Sequence, residues 1–160
     1  MLTFRLGFAS GVGVAITLSL FLVWHWQPKR QVRLHSEHFL QRVQMHAWTS
    51  VSAQLASDYR DQWSHDRASV VADLRAAMLL LRGVEIIVAM TDVNAADREG
   101  SWSARITLRG GGENGERVVT QVNAFQAPFT FRWRQQSAKP WDWQLVSVAQ
   151  PELERMDAVP

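Results

Sequence analysis

Four side chains in this sequence could carry acid–base chemistry: Tyr59, Asp61, His65 and Asp92. A buried aspartate whose surroundings raise its pKa can act as a general base, and a tyrosine can donate a hydrogen bond to a developing oxyanion. The same residues have a plainer reading. Asp58, Asp61 and Asp66 fall where one helical pattern loosens and the next begins, and acids cap helix starts. Tyr59 and Trp63 stand four apart and can pack at that junction. The plainer reading is favoured, so no catalytic residue is assigned.

Metal chemistry finds less support. His35 and His38 are three apart, and His46 lies further along the same pattern. A closed site needs about four converging ligands, and no four are found. Solvated histidines beside a membrane account for these residues, and no metal or cofactor is expected. The chain has no cysteine, so thiolate sites and disulfides are excluded. The run Gly110–Gly112 lacks the following Lys-Ser or Lys-Thr of a phosphate loop and reads as a flexible hairpin tip before another strand.

Arginine carries a different signal. Where Trp102, Ile106 and Leu108 point inward along a strand, Arg105 and Arg109 point outward; where Phe129, Phe131 and Trp133 point inward, Arg132 and Arg134 point outward. Four guanidiniums on one sheet face could meet carboxylates of a protein partner or anionic lipid headgroups. An ordinary solvated face is the competing reading. The aromatic residues alternate away from the arginines, which argues against single-stranded nucleic acid as a ligand.

These side chains need elements to position them. From Ser36, a candidate cap, the residues Leu40, Val43, Ala47, Trp48, Val51 and Leu55 form one apolar face of a long helix. Asp66 can cap a second helix, with Val70, Val71, Leu74, Met78 and Leu81 inward and Gly83 as its stop. The period then changes to two. Strands are predicted over Val84–Val93, Ser101–Arg109, Arg117–Phe125, Pro128–Gln135 and Trp141–Gln150. Turns are marked at Asp97–Gly100, Gly110–Gly115 and Ser137–Pro140. With no helix between strands, an antiparallel meander is expected. On the last strand Trp141, Trp143 and Leu145 share one face and Val146 and Val148 the other, as expected of a strand that is central or covered by a partner.

At the start of the chain, Leu6 to Trp26 contains no Asp, Glu, Lys or Arg. About 20 apolar residues in a helix cross a bilayer core. A cleaved signal peptide has a shorter apolar core of about 7–15 residues and a small-residue cleavage site, whereas this run ends in Val23, Trp24, His25 and Trp26. Tryptophans suit the membrane interface. The run is expected to be an uncleaved, single-pass anchor, with Pro28 as the break between it and the first helix of the domain. Gly7 and Gly11 form a GxxxG that could pair two anchors, although glycine is common in such helices. The basic residues Lys29, Arg30 and Arg33 slightly favour a cytoplasmic domain, while the short amino-terminal tail favours an exported one; export from the cell membrane is preferred. The organisation expected is an anchor over 1–27, a juxtamembrane linker over 28–35, one folded domain over 36–153 and a tail over 154–160.

The formal net charge is +2 and 47% of residues are hydrophobic, enough to build a core and too little positive charge for a nucleic-acid signature. The order of elements resembles the nuclear-transport-factor-2-like superfamily of cystatin-like α+β cones. Two stretches carry that resemblance: Tyr59-Arg60-Asp61-Gln62-Trp63 leading into the second helix, and the closing strand Trp143-Gln144-Leu145-Val146-Ser147-Val148 running on to Pro151. It implies an α+β fold with helices packed on a curved antiparallel sheet, and a cone whose interior is lined by Trp102, Ile106, Phe129, Phe131 and Trp133. It also implies frequent dimers through the sheet. Enzymes of the superfamily place acids, histidines or tyrosines inside the cone, but the strand faces expected to line it here carry no carboxylate.

Two readings of function remain. One is a membrane-anchored, non-catalytic interaction or assembly domain, with a homodimer or an unidentified protein as partner. The other is small-molecule binding, or lyase or isomerase chemistry, in the cone. The first expects a cone filled by Trp and Phe side chains. The second expects an open pocket holding a buried acid or a His–Asp pair.

Overall fold

The computed structural model describes residues 26–153, together with Val14, residues 17–19 and Phe21. Gly7 and Gly11, most of the apolar run and the tail lie outside the described residues. Val14, Leu18 and Phe21 are helical and largely exposed. Among the described residues no helix is long and apolar enough to cross a membrane.

The elements are α1 (Pro28–Gln44), α2 (Trp48–Gln54), α3 (Arg67–Leu80), β1 (Arg82–Ala96), β2 (Glu99–Gly111), α4 (Gly112–Ala124), β3 (Phe129–Gln135) and β4 (Trp143–Ala149). The strands form one antiparallel sheet in the order β1-β2-β3-β4. The helices cover one face of it, so the expected α+β architecture is present.

Helix α1 starts at Pro28, not at Ser36. Proline at the first helical position has its φ preset and loses no hydrogen bond there. The stretch 28–35 expected as a linker is thus helix, and Val32 within it is fully buried. Ser36 sits mid-helix, where its Oγ donates to the Val32 carbonyl at 2.8 Å. The expected single long helix is also broken. His46 takes a left-handed φ of 57°, with His46 N–H bonded to Val43 O at 3.0 Å and Ala47 N–H to Arg42 O at 2.9 Å. That pair of bonds is a Schellman stop with histidine in the place usually held by glycine.

His35 on α1 is half-buried against Trp133, with ring centroids 5.7 Å apart. Desolvation holds its imidazole below the ordinary value. A histidine with a depressed folded pKa binds fewer protons folded than unfolded. Its stabilising effect is therefore full above about pH 6.5 and declines as pH falls below that value. The thermal midpoint of the wild type should drop more steeply than that of His35→Gln on acidification through this window; parallel profiles would refute the assignment.

Helix α3 begins where expected. The Asp66 carboxylate accepts from Ala68 N–H and Ser69 N–H, and Ser69 Oγ accepts from Asp66 N–H, a complete capping box. Strands β1 and β2 join through Asp97 and Arg98, whose φ values of 47° and 68° make a two-residue primed turn. Gly100 allows β2 to approach α1, because a Cβ there would collide with the Val32 side chain.

The largest departure from expectation is α4. Residues 117–125, predicted as a strand, are helical as far as Ala124, so a helix does separate two strands. Gly110, Gly111 and Gly112 all have positive φ and turn the chain out of β2 directly into α4. Gly115, Val118, Val119 and Val122 recur at helical steps, and Val118 and Val119 pack on the core. Helix α4 also shields a strand edge. Strand β3 pairs with β2 only as far as Ala104. Beyond it, Asn123 accepts from Leu108 N–H at 2.7 Å and donates to Leu108 O at 2.9 Å, completing the exposed edge.

Strand β4 is the last in the sheet rather than a central one. Its outer edge is covered by the chain after α2: Leu55 bridges Leu145 in parallel, Ala56 N–H donates to Leu145 O, and Arg60 N–H donates to Val146 O. A register shift between Arg132 and Trp133 reverses the facing of β4 part-way along. Leu145 and Val148 therefore both pack on the core, and Trp141 lies exposed before the strand.

Candidate functional site

Aromatic and aliphatic side chains pack the interior between sheet and helices. Trp102, Phe131, Trp133 and Leu145 are 3% exposed or less. Phe39 of α1 meets Phe131 and Trp133 edge-on at centroid separations of 6.2 and 6.4 Å, and Trp102 lies 5.3 Å from Phe131. Ile106 joins this core, while Phe129 is half-buried and packs on Phe125 at 6.0 Å. The residues expected to line the cone thus pack together in its interior. The three cavities described are surface grooves.

Of the four acid–base candidates, three lie together. Asp61 is buried; its Oδ1 accepts from Trp63 N–H at 3.0 Å and His65 N–H at 2.8 Å, and its Oδ2 lies 3.0 Å from His65 Nδ1. His65 Nε2 lies 3.6 Å from Asp73 on α3. Tyr59 is buried alongside. Burial and the Asp61 charge raise its phenol well above the ordinary value. The carboxylate thus closes the tight turn into α3, where Ser64 adopts a φ of 66°. This is a His–Asp pair, but both imidazole nitrogens face carboxylates, and no open cavity adjoins it among the grooves described. Asp92 is separate: it is exposed on β1, opposite Ser103.

The junction is tied to the far end of the sheet. Gln62 and Gln150 exchange two hydrogen bonds, of 2.8 and 2.9 Å, with the Gln62 side chain acting on the Gln150 backbone. Gln150 itself is fully buried, donating to Ala127 O and accepting from Glu152 N–H.

The outer sheet face carries the arginines, as the alternation requires, but it is not uniformly basic. Arg134 donates to both oxygens of Asp58 at 2.6 and 2.8 Å, and this guanidinium holds the Asp58 carboxyl below its usual range. Arg109 pairs with Glu85 at 3.3 Å, and half-buried Arg105 reaches Gln126 at 3.4 Å. Arg132 is exposed and forms no ion pair with the described residues. Across the sheet it is level with Ser101 and Ser147. A groove of about 540 Å³ runs over this face, bordered by Asp58, Arg60, Asn94, Glu99, Arg132 and Arg134. Strand register and the chain course after α2 bring the acids Asp58 and Glu99 to this face, a placement that no period along the sequence shows.

No set of three His, Asp or Glu side chains able to hold a metal occurs among the described residues. His38 is exposed, His35 packs on Trp133, and His46 stacks on Trp48 at 5.7 Å. The glycine run does precede a helix, contrary to expectation. Its first turn carries Glu113, which opposes an anion there.

No protein-family model matches the chain, and no curated protein is significantly similar to it. Solved structures do share its fold. A nuclear-transport-factor-2-like protein of unknown function from Pseudomonas putida superposes with a TM-score of 0.56 at 16% identity, covering 75% of this chain and 82% of that one. A nuclear-transport-factor-2-like protein with a cystatin-like fold from Novosphingobium aromaticivorans gives 0.53 at 13% identity, over 86% of each chain. A protein from Shewanella frigidimarina, provisionally assigned as a ketosteroid isomerase, gives 0.54 at 13% identity, over 76% of this chain and 93% of that one. These likenesses establish the nuclear-transport-factor-2-like, cystatin-like fold.

Proposed function

We propose that this nuclear-transport-factor-2-like cone is a membrane-tethered, non-catalytic interaction domain that works through the outer face of its sheet. The observation that carries the reading is the filled interior, where Trp102, Phe131 and Trp133 occupy the volume a substrate would need. The outer face offers the complementary features. It has a groove, an Arg132 without an ion pair among the described residues, and exposed Glu99 and Asp92 on the same surface. A face with unpaired charges of both signs is suited to a second copy of itself, Arg132 of one protomer meeting a carboxylate of the other. The uncharged run Leu6–Trp26 supplies the tether, and the domain is exported.

Sedimentation of the full chain in neutral detergent tests the dimer. The wild type should sediment as a dimer, and Arg132→Glu should weaken association by roughly tenfold or more, as loss of an arginine anchor does. A monomeric wild type, or a variant that dimerises equally well, would overturn the sheet-face reading. Retention of the chain in membranes after alkaline carbonate extraction tests the tether separately.

A second reading keeps small-molecule binding, or a lyase or isomerase activity, at the Tyr59–Asp61–His65 cluster. The observation in its favour is a buried carboxylate hydrogen-bonded to a half-exposed histidine. Turnover lost in Asp61→Asn with the fold intact would support it.

A further inference from the structure

We infer that the groove between α2 and α3 binds a phosphoryl group carried by a small soluble ligand. The groove encloses about 440 Å³, and Trp48, Thr49, Ser52, Arg67 and Arg75 border it with no carboxylate among its lining residues. Arg67 and Arg75 are two helical turns apart on α3, with Val71 between them on the same side. Neither forms an ion pair with the described residues. Elsewhere on the surface, Arg109 and Arg134 have carboxylate partners.

Both guanidiniums are held in place. Arg67 Nε donates to Ser52 Oγ at 3.2 Å, which leaves its terminal nitrogens free to bind. The Arg75 guanidinium carbon lies 5.8 Å from the centre of the Trp48 ring. Side chains ordered before binding lose less entropy when a ligand arrives. The hydroxyls of Thr49 and Ser52 add two donors. A phosphomonoester carries a charge of about −1.5 to −2 at pH 7 and three strong acceptor oxygens, enough to engage two guanidinium forks. A carboxylate brings one charge and two oxygens, and satisfies one fork.

Geometry favours a soluble ligand over a lipid. The apolar run precedes Pro28, and α1, of 17 residues, extends about 25 Å before the chain reaches Trp48. The groove thus adjoins the end of α1 remote from the proposed anchor.

The test is calorimetric titration of the full chain, in neutral detergent at low salt, with inorganic phosphate and pyrophosphate. One saturable site should appear, tighter for pyrophosphate. Arg67→Gln and Arg75→Gln should each weaken it by about tenfold. Arg117→Gln, exposed on α4 and outside this groove, should leave it unchanged. Thermal melts establish that each variant is folded, and Ser52→Ala provides a milder change that should weaken binding through the loss of Arg67 positioning. Absence of saturable binding in the wild type overturns the proposal, as does an equal loss in Arg117→Gln. So does arginine-dependent binding to phosphatidylglycerol vesicles, relative to phosphatidylcholine, without binding of either free anion. None of these outcomes depends on whether the sheet face dimerises.

Discussion

Trp133→Ala should destabilise the domain by about 3–5 kcal/mol, as measured by chemical denaturation. Trp133 is 1% exposed and stands at the centre of the aromatic cluster, against Phe39 and His35 of α1. Truncation removes both the transfer free energy of the indole and the contacts of its neighbours across the void it leaves. Domains of this size are stable by only about 5–15 kcal/mol, so the loss is a large share of the total. The comparison that makes the experiment informative is Arg132→Ala, one residue earlier and facing outward, which should change stability by about 0.5 kcal/mol or less. A small effect at Trp133 would mean that the interior is loosely packed, and the case for a filled cone would fail with it.

Asp61→Ala should cost about 2–4 kcal/mol, the scale of about 1–2 kcal/mol for each of the two N–H donors left without its acceptor. The carboxylate satisfies two backbone N–H groups and faces His65 at once, and alanine replaces none of these acceptors. Asp61→Asn keeps one oxygen for the two N–H groups and should cost clearly less, by about 1–2 kcal/mol. This gradation separates two roles. A turn-closing aspartate shows a stability loss graded with the hydrogen bonds removed. A general base shows an activity lost in the asparagine variant at nearly full stability. Equal stability of all three proteins would refute the structural role assigned to Asp61.

Much of the scaffold was legible in the sequence, because its signals are local. Asp66 and Ser69 satisfy the first N–H groups of α3 from within three residues, and Gly83 lies just past its end, so this helix needed nothing from afar. The Asp97–Arg98 turn and the alternation of Trp102, Ala104 and Ile106 against Arg105 are equally local, since the pleat sends neighbours to opposite faces. Where two local readings compete, alternation misleads. The valines of α4 favour a strand by their branching, although their spacing with Gly115 is helical; packing on Leu81 and the β2 edge decides for the helix. The stop after α1 carried no glycine, so nothing in its composition announced the left-handed His46.

The sequence by itself determined the fold class, the facing of β2 and β3 and the uncharged character of the amino-terminal run. Tertiary structure alone decided what the faces do. Whether five inward aromatic and aliphatic side chains line a pocket or fill it depends on how closely α1 approaches the sheet, and so on volumes brought from opposite ends of the chain. The charge on the outer face depends equally on distance in space. Arg134 is neutralised by Asp58, 76 residues away in the sequence, while Arg132, two residues along the same strand, forms no ion pair among the described residues. Strand register and the course of the segment covering β4 make that distinction, and neither has a period that can be read along the chain.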